Sequence, residues 1–194
     1  MRALKYLVLA GLLGAAVPVQ AAPVTYKLDP NHTMVLFSWN HFGFSNPIAE
    51  LGLGEGTLVF DEQHPAHSSV EVTLPMSGLD THVAALDTHL KEADFFDADK
   101  YPTVTFKSTK VQPLGGNKFK VTGDLTVHGV TRPVVLDATL NKVSPGQASK
   151  IGFDASASLN RSEFGVSKFV PNVSDQVKIH ITTEGSVPKA DAAN

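Results

Sequence analysis

Eight histidines in a chain without cysteine are the first residues whose chemistry has to be considered. His64-x-x-His67 is the tightest pair, but Pro65 between them places both in a loop. His82 and His89 stand seven apart and would share a face only of a helix that spans both. Neither spacing is a zinc motif, so a surface or structural role is the expectation for all four, with no metal and no cofactor. His32 and His41 lie beside aromatic residues near strand ends, where an imidazole could contact the polar end of a ligand or, equally, be a satisfied structural histidine. Arg161, in Asn160-Arg161-Ser162-Glu163-Phe164-Gly165, could hold an anion in its guanidinium fork. It could equally be seated against Asp175 or Glu163 at a barrel rim. That paired seat is favoured, because a partly buried arginine is usually held by partners. Gly52-x-Gly54-x-Gly56 lacks both the Lys-Ser/Thr and the following helix of a phosphate loop, so turns or bulges explain it better. No Gly-x-Ser-x-Gly elbow is present, and Ser, His and Asp show no triad spacing. No catalytic residue emerges.

The elements that must position these residues are mostly strands. Lys118–Val127 alternates with period two: Phe119, Val121, Gly123, Leu125 and Val127 fall on one face, with lysine, threonine and aspartate on the other. Ile151–Asn160 repeats the pattern, with Ile151, Phe153, Ala155, Ala157 and Leu159 on its apolar face. Further strands are expected over 24–28, 34–40, 57–60, 69–74, 103–111, 132–141 and 176–186. Turn signals such as Gly115-Gly116-Asn117 and His128-Gly129 separate them and favour antiparallel neighbours. One segment differs. From Thr81 to Lys91, Val83, Leu86 and Leu90 recur at helical spacing, and Tyr101-Pro102 bars any continuation. One short helix cannot cover so large a sheet. The expected fold is therefore all-β, an extended antiparallel barrel of about eight strands with the helix at one end, and a sandwich is the alternative.

Length and composition fit that plan. The chain has 194 residues, 42% hydrophobic and 18% charged, which suits one domain with a substantial core. A net charge of −3 offers no excess of cations for phosphates, which argues against nucleic acid as a partner. Residues 1–21 look like a secretory signal: Arg2 and Lys5 precede the apolar run Leu7–Val17, and Val19-Gln20-Ala21 supplies small residues for cleavage before Ala22. Residues 22–187 would then form the barrel and 188–194 a frayed tail, with export to the periplasm and no membrane-spanning segment in the mature chain.

Function turns on whether the barrel is filled. In a single rolled sheet the inward face is the only core. Gly123, Ala155 and Ala157 are small, while Phe37, Trp39, Phe42, Phe44, Phe106, Phe119 and Phe153 could line walls instead of filling a centre. Strands of about ten residues, tilted by about 40°, would enclose a tube near 25 Å tall. Periodicity alone leaves the hollow and the solid barrel equally open.

An ordered series of motifs bears on the choice. It includes Phe37-Ser38-Trp39-Asn40-His41-Phe42-Gly43, Asp87-Thr88-His89-Leu90-Lys91, Asp94-Phe95-Phe96-Asp97 and Tyr101-Pro102-Thr103-Val104-Thr105-Phe106. Gly123-Asp124-Leu125-Thr126-Val127-His128-Gly129-Val130-Thr131 and Arg161-Ser162-Glu163-Phe164-Gly165-Val166 complete it. In this the chain resembles the YceI-like, polyisoprenoid-binding periplasmic proteins from about Tyr26 to Glu184. The resemblance implies a lipocalin-like barrel closed at one end by the helix. It also implies a long isoprenoid or similar amphiphile as the bound partner, often two associated chains, and no catalysis. Phe37, Trp39, Phe42, Phe106, Phe119, Phe153 and Phe164 are then the expected wall contacts, with His32, His41 and Arg161 near a polar end. The rival readings are an envelope interaction module with a solid barrel and a lipid head-group hydrolase using His32 or His41.

Overall fold

The computed structural model describes residues 22–144 and 149–188, so the expected leader and nearly all of the expected tail lie outside the described residues. Ten strands and one helix follow in order: β1 (Val24–Ser38), β2 (Ile48–Gly52), β3 (Glu55–Phe60), β4 (Ser69–Pro75), β5 (Leu79–Asp80), α1 (Ala84–Lys91), β6 (Thr103–Gly115), β7 (Lys118–Val127), β8 (Val130–Val143), β9 (Lys150–Asn160) and β10 (Gln176–Ser186). Eight of them form a closed antiparallel ring in the order β10-β9-β8-β7-β6-β4-β3-β1, with β1 pairing back onto β10. β2 and β5 complete the wall at the helical end, where β1 pairs with β2 through Met34–Ser38 after pairing with β3 through Val24–Lys27. Closure leaves no long unpaired edge.

Alternation decides which way each side chain points. On β7 the apolar residues face inward, while Lys118 and Lys120 reach across the outer face to Thr139 and Asp137, each at 2.7 Å. The β7–β8 hairpin turns on His128 and Gly129, both at positive φ (52° and 72°), the two-residue turn that suits right-twisted strands.

Three features depart from the sequence reading. The segments 24–28 and 34–40 belong to one long strand, because Asp29–His32 bulges out of the ladder without ending it. The Asp29 carboxylate accepts the Asn31 N–H at 2.9 Å and pairs with His32 Nδ1 at 2.8 Å, which closes the bulge locally. β2 was not anticipated; it hides between Pro47 and the glycines at 52 and 54. The helix begins at Ala84, three residues later than the apolar spacing suggests, because the Asp87 carboxylate accepts both the N–H (2.7 Å) and the hydroxyl (2.6 Å) of Thr81. These bonds hold Asp87 below the ordinary carboxylate range and keep residues 81–83 out of the helix. His82 sits there at φ 63°, so His82 and His89 do not share a helix face.

Beside α1, Leu90, Phe95, Phe164 and Val166 are buried. Away from α1, Tyr26 and Ile151 are buried, and Phe153 packs edge-on against Phe60 (6.0 Å) and Phe119 (6.2 Å). Gly123 does not open a gap in the waist: a Cβ there would lie 2.4 Å from the Phe106 ring, which already covers the space. The walls of β9 and β10 behave differently. Val177, Ile179, Ile181 and Leu159 point inward yet are only half-buried, as side chains are when they face an empty space.

Candidate functional site

That space is a cavity of about 590 Å³ running along the barrel axis. Such a volume is typical of small-molecule sites. One end is marked by Ser68, Ser69 and Val70, the other by Leu86, His89 and Leu90 of α1 with Phe95 and Phe96 beyond it. Every strand of the ring contributes apolar side chains to the wall, so the bore is hydrocarbon-like over its length. Most of its polar side chains are engaged within the protein. The Thr33 and Thr183 hydroxyls bond each other at 2.7 Å, the Ser68 hydroxyl accepts the Asp61 N–H at 3.0 Å, and His89 Nδ1 meets Glu92 at 2.9 Å. Among the described residues no buried side-chain nitrogen or oxygen lacks a partner. The middle of the wall therefore offers a guest dispersion and desolvation, not directed hydrogen bonds.

Phe37, Trp39, Phe106, Phe119, Phe153 and Phe164, with His41 and Arg161, line the cavity, whereas Phe42 and His32 do not. Phe42 lies on the loop after β1 at φ 53°, half exposed, with its ring against His41 (4.8 Å). The resemblance implied it as a wall contact, but β1 ends at Ser38 and the period that carries Phe37 and Trp39 inward does not reach residue 42. His32 sits in the β1 bulge, exposed, and its partner is Asp29 rather than an aromatic residue. His41 has no carboxylate within ion-pair reach among the described residues, so the two histidines do not assemble into an acid–base pair. Ala155 lines the bore as expected of a small inward residue, and much of the remaining wall, such as Val72, Leu136 and Ile181, was left unnamed. A period-two count on β4, β8 and β10 would have found those positions.

The profile of the YceI-like domain matches residues 26–185, nearly all of the described chain. The protein YceI of Escherichia coli O157:H7 is 36% identical over 169 residues, covering 85% of this chain and 88% of its own. This chain belongs to the YceI family. The YceI architecture is also found in solved structures: Burkholderia cenocepacia BcnA superposes with a TM-score of 0.74 at 26% identity, over 81% of this chain and 98% of its own. A polyisoprenoid binding domain from Saccharophagus degradans superposes with a TM-score of 0.66, over 84% of this chain and 98% of its own, but at 12% identity, a likeness of fold.

In this YceI barrel Arg161 is a scaffold residue. Its guanidinium donates through Nε to the Ser174 carbonyl (2.9 Å), through Nη1 to Val166 (2.8 Å), and through Nη2 to Lys168 and Val173 (both 2.9 Å). Four of the five N–H groups of an arginine are thereby used. The expected seat against Asp175 or Glu163 is not what holds it. Asp175 instead accepts the Ser162 N–H at 2.8 Å and the Ser162 hydroxyl at 2.7 Å, and the Asn160 side chain donates to Glu163 at 3.1 Å. Burial pulls the guanidinium below its usual range and the nearby Asp175 charge opposes this, which leaves it charged at any physiological pH. The consequence is a fixed 161–174 loop, which carries Phe164, Val166 and Phe169 to the helical end of the bore. Lys168 pairs with Asp94 across the gap to the segment after α1, and Phe95 and Phe169 meet at 6.2 Å over the bore.

Proposed function

We propose that the chain is exported to the periplasm and there holds one long isoprenoid-type or similar amphiphilic lipid inside its barrel, carrying it between membranes or keeping it in store. The observation that carries this reading is the continuous apolar bore, most of whose polar side chains are bonded within the wall. A guest burying about 400 Å² of apolar surface would gain roughly 10 kcal/mol before ordering costs. Two facts support the cargo and the compartment: a structural neighbour is a polyisoprenoid binding domain, and residues 1–21 have the composition of a secretory signal. The hollow interior speaks against a solid interaction module. The separation of His32 from the bore speaks against its use as a head-group acid or base.

The helical end is the proposed doorway. Phe42 (49% exposed), Phe44 (90%) and Phe169 (52%) stand on the two loops that frame it. These loops are stitched together by Phe42 N–H to the Asn172 carbonyl at 2.8 Å. Aromatic side chains projecting from a doorway can enter the interface of a bilayer and shield a lipid tail as it leaves. Phe44→Ser is expected to slow the transfer of a fluorescent polyprenyl lipid between vesicles by roughly fivefold or more, while the amount of lipid retained at equilibrium stays the same. Unchanged transfer would remove the doorway role from this loop.

A further inference from the structure

The loop that joins β3 to β4 lies at the end of the barrel away from α1, and its chemistry is unused by the lipid site. Its sequence is Asp61-Glu62-Gln63-His64-Pro65-Ala66-His67. Asp61 is the first residue after β3, and its side chain is only 7% exposed. Its Oδ1 accepts the N–H groups of Gln63 (3.1 Å) and His64 (2.8 Å), so the carboxylate is held in one orientation. A short helical turn over Pro65–His67 then sets the two imidazoles side by side, 5.5 Å apart and 26° from parallel.

Both imidazoles face the same carboxylate. His64 Nδ1 is 3.8 Å from Asp61 Oδ1, and His67 Nδ1 is 3.6 Å from Asp61 Oδ2. These separations are too long for hydrogen bonds. Two other histidine–carboxylate pairs on the surface, His32 with Asp29 (2.8 Å) and His89 with Glu92 (2.9 Å), close to hydrogen-bond distance. His82 and Asp80 also stand 3.6 Å apart, but there only one imidazole meets the carboxylate. Donors bound tetrahedrally to zinc at about 2.0–2.2 Å lie roughly 3.4 Å from one another. In the 61–67 loop one donor atom from each of the three residues lies within 4.8 Å of the other two. In the second such group, His89, Glu92 and Asp94, Asp94 pairs with Lys168 and Glu92 with His89.

We propose that Asp61, His64 and His67 bind one divalent transition-metal ion of the zinc type, with a fourth position open to solvent. The two-histidine spacing carries no zinc motif by itself. The third donor comes from Asp61, three residues before His64, and only the loop geometry reveals it. The bound ion would fasten the end of β3 to the start of β4 beside Ser68 and Ser69, which face the bore. The site is thus a clasp at the far end of the tunnel, separate from the doorway.

The test is calorimetric titration of untagged, chelator-treated full-length mature protein with zinc chloride, alongside thermal melts with and without the ion. The expected result is one zinc per chain and a Tm that rises with zinc and returns with EDTA. His67→Ala and His64→Ala, both changes of exposed side chains, are each expected to weaken binding at least roughly tenfold. Asp61→Asn keeps a carbonyl to accept the loop N–H groups but loses the charge, and is expected to do the same. His32→Ala and His82→Ala should bind zinc as the parent does. Absence of saturable binding at micromolar zinc overturns the site, as does binding that survives His67→Ala or that falls with His82→Ala.

Discussion

Ala155→Trp should abolish lipid retention without destabilising the barrel. Ala155 sits on the inner face of β9, opposite Ala138 on β8 and Ile181 on β10, and lines the bore. In a packed core, forcing in a side chain of that size costs about 1–3 kcal/mol through strained rotamers and shifted strands. Here the indole would enter space that is empty, and burying its apolar surface offsets any strain. Lipid recovered with the purified variant should therefore fall roughly tenfold or more, with the urea midpoint unchanged or higher. Gly123→Ala is the contrasting case on the same inward face. Its new Cβ would lie 2.4 Å from Phe106 Cζ and 2.6 Å from the Lys107 carbonyl oxygen, so a loss of about 2 kcal/mol is expected for a single methyl group. A solid barrel would penalise both substitutions.

Arg161→Met should cost about 3 kcal/mol, the second large effect. It keeps the apolar stem but strips charge-assisted donors from the carbonyls of Val166, Lys168, Val173 and Ser174 at once. Arg161→Lys should recover little of this, because one ammonium cannot reach four acceptors spread around a planar fork. Urea unfolding followed by tryptophan fluorescence measures the loss, and hydrogen exchange should localise the loosening to residues 161–174. If Arg161 instead served chiefly to hold an anionic head group, Arg161→Met would leave the midpoint in place and lower lipid affinity alone.

Much of the fold could be read from alternation, and the reasons for the exceptions are local. β7 and β9 show their inward faces plainly because long runs of period two survive without interruption. Alternation breaks between residues 28 and 34, which splits β1 into two expected pieces, whereas the Asp29 side chain closes a bulge there and the strand resumes. The helix start was misplaced by a side-chain bond to Thr81, which apolar spacing cannot report. The emptiness of the bore was not legible. Gly123 and Ala155 look alike as small inward residues, but the Phe106 ring covers the first and the cavity faces the second. Which of two small residues has a large neighbour depends on the stagger between strands, and period two within one strand is silent on that. Arg161 shows the same limit: its residue type suggested a charged partner, while its partners are carbonyls supplied by a loop conformation.

The most direct test of the hollow barrel is the intact mass, under native conditions, of the mature protein exported by a host that makes polyprenyl lipids. The account predicts one apolar molecule per chain, released on denaturation and extractable into organic solvent, and absent from Ala155→Trp prepared in parallel. A lipid-free mass that persists after incubation with excess polyprenyl lipid would contradict it, as would equal lipid on the parent and on Ala155→Trp.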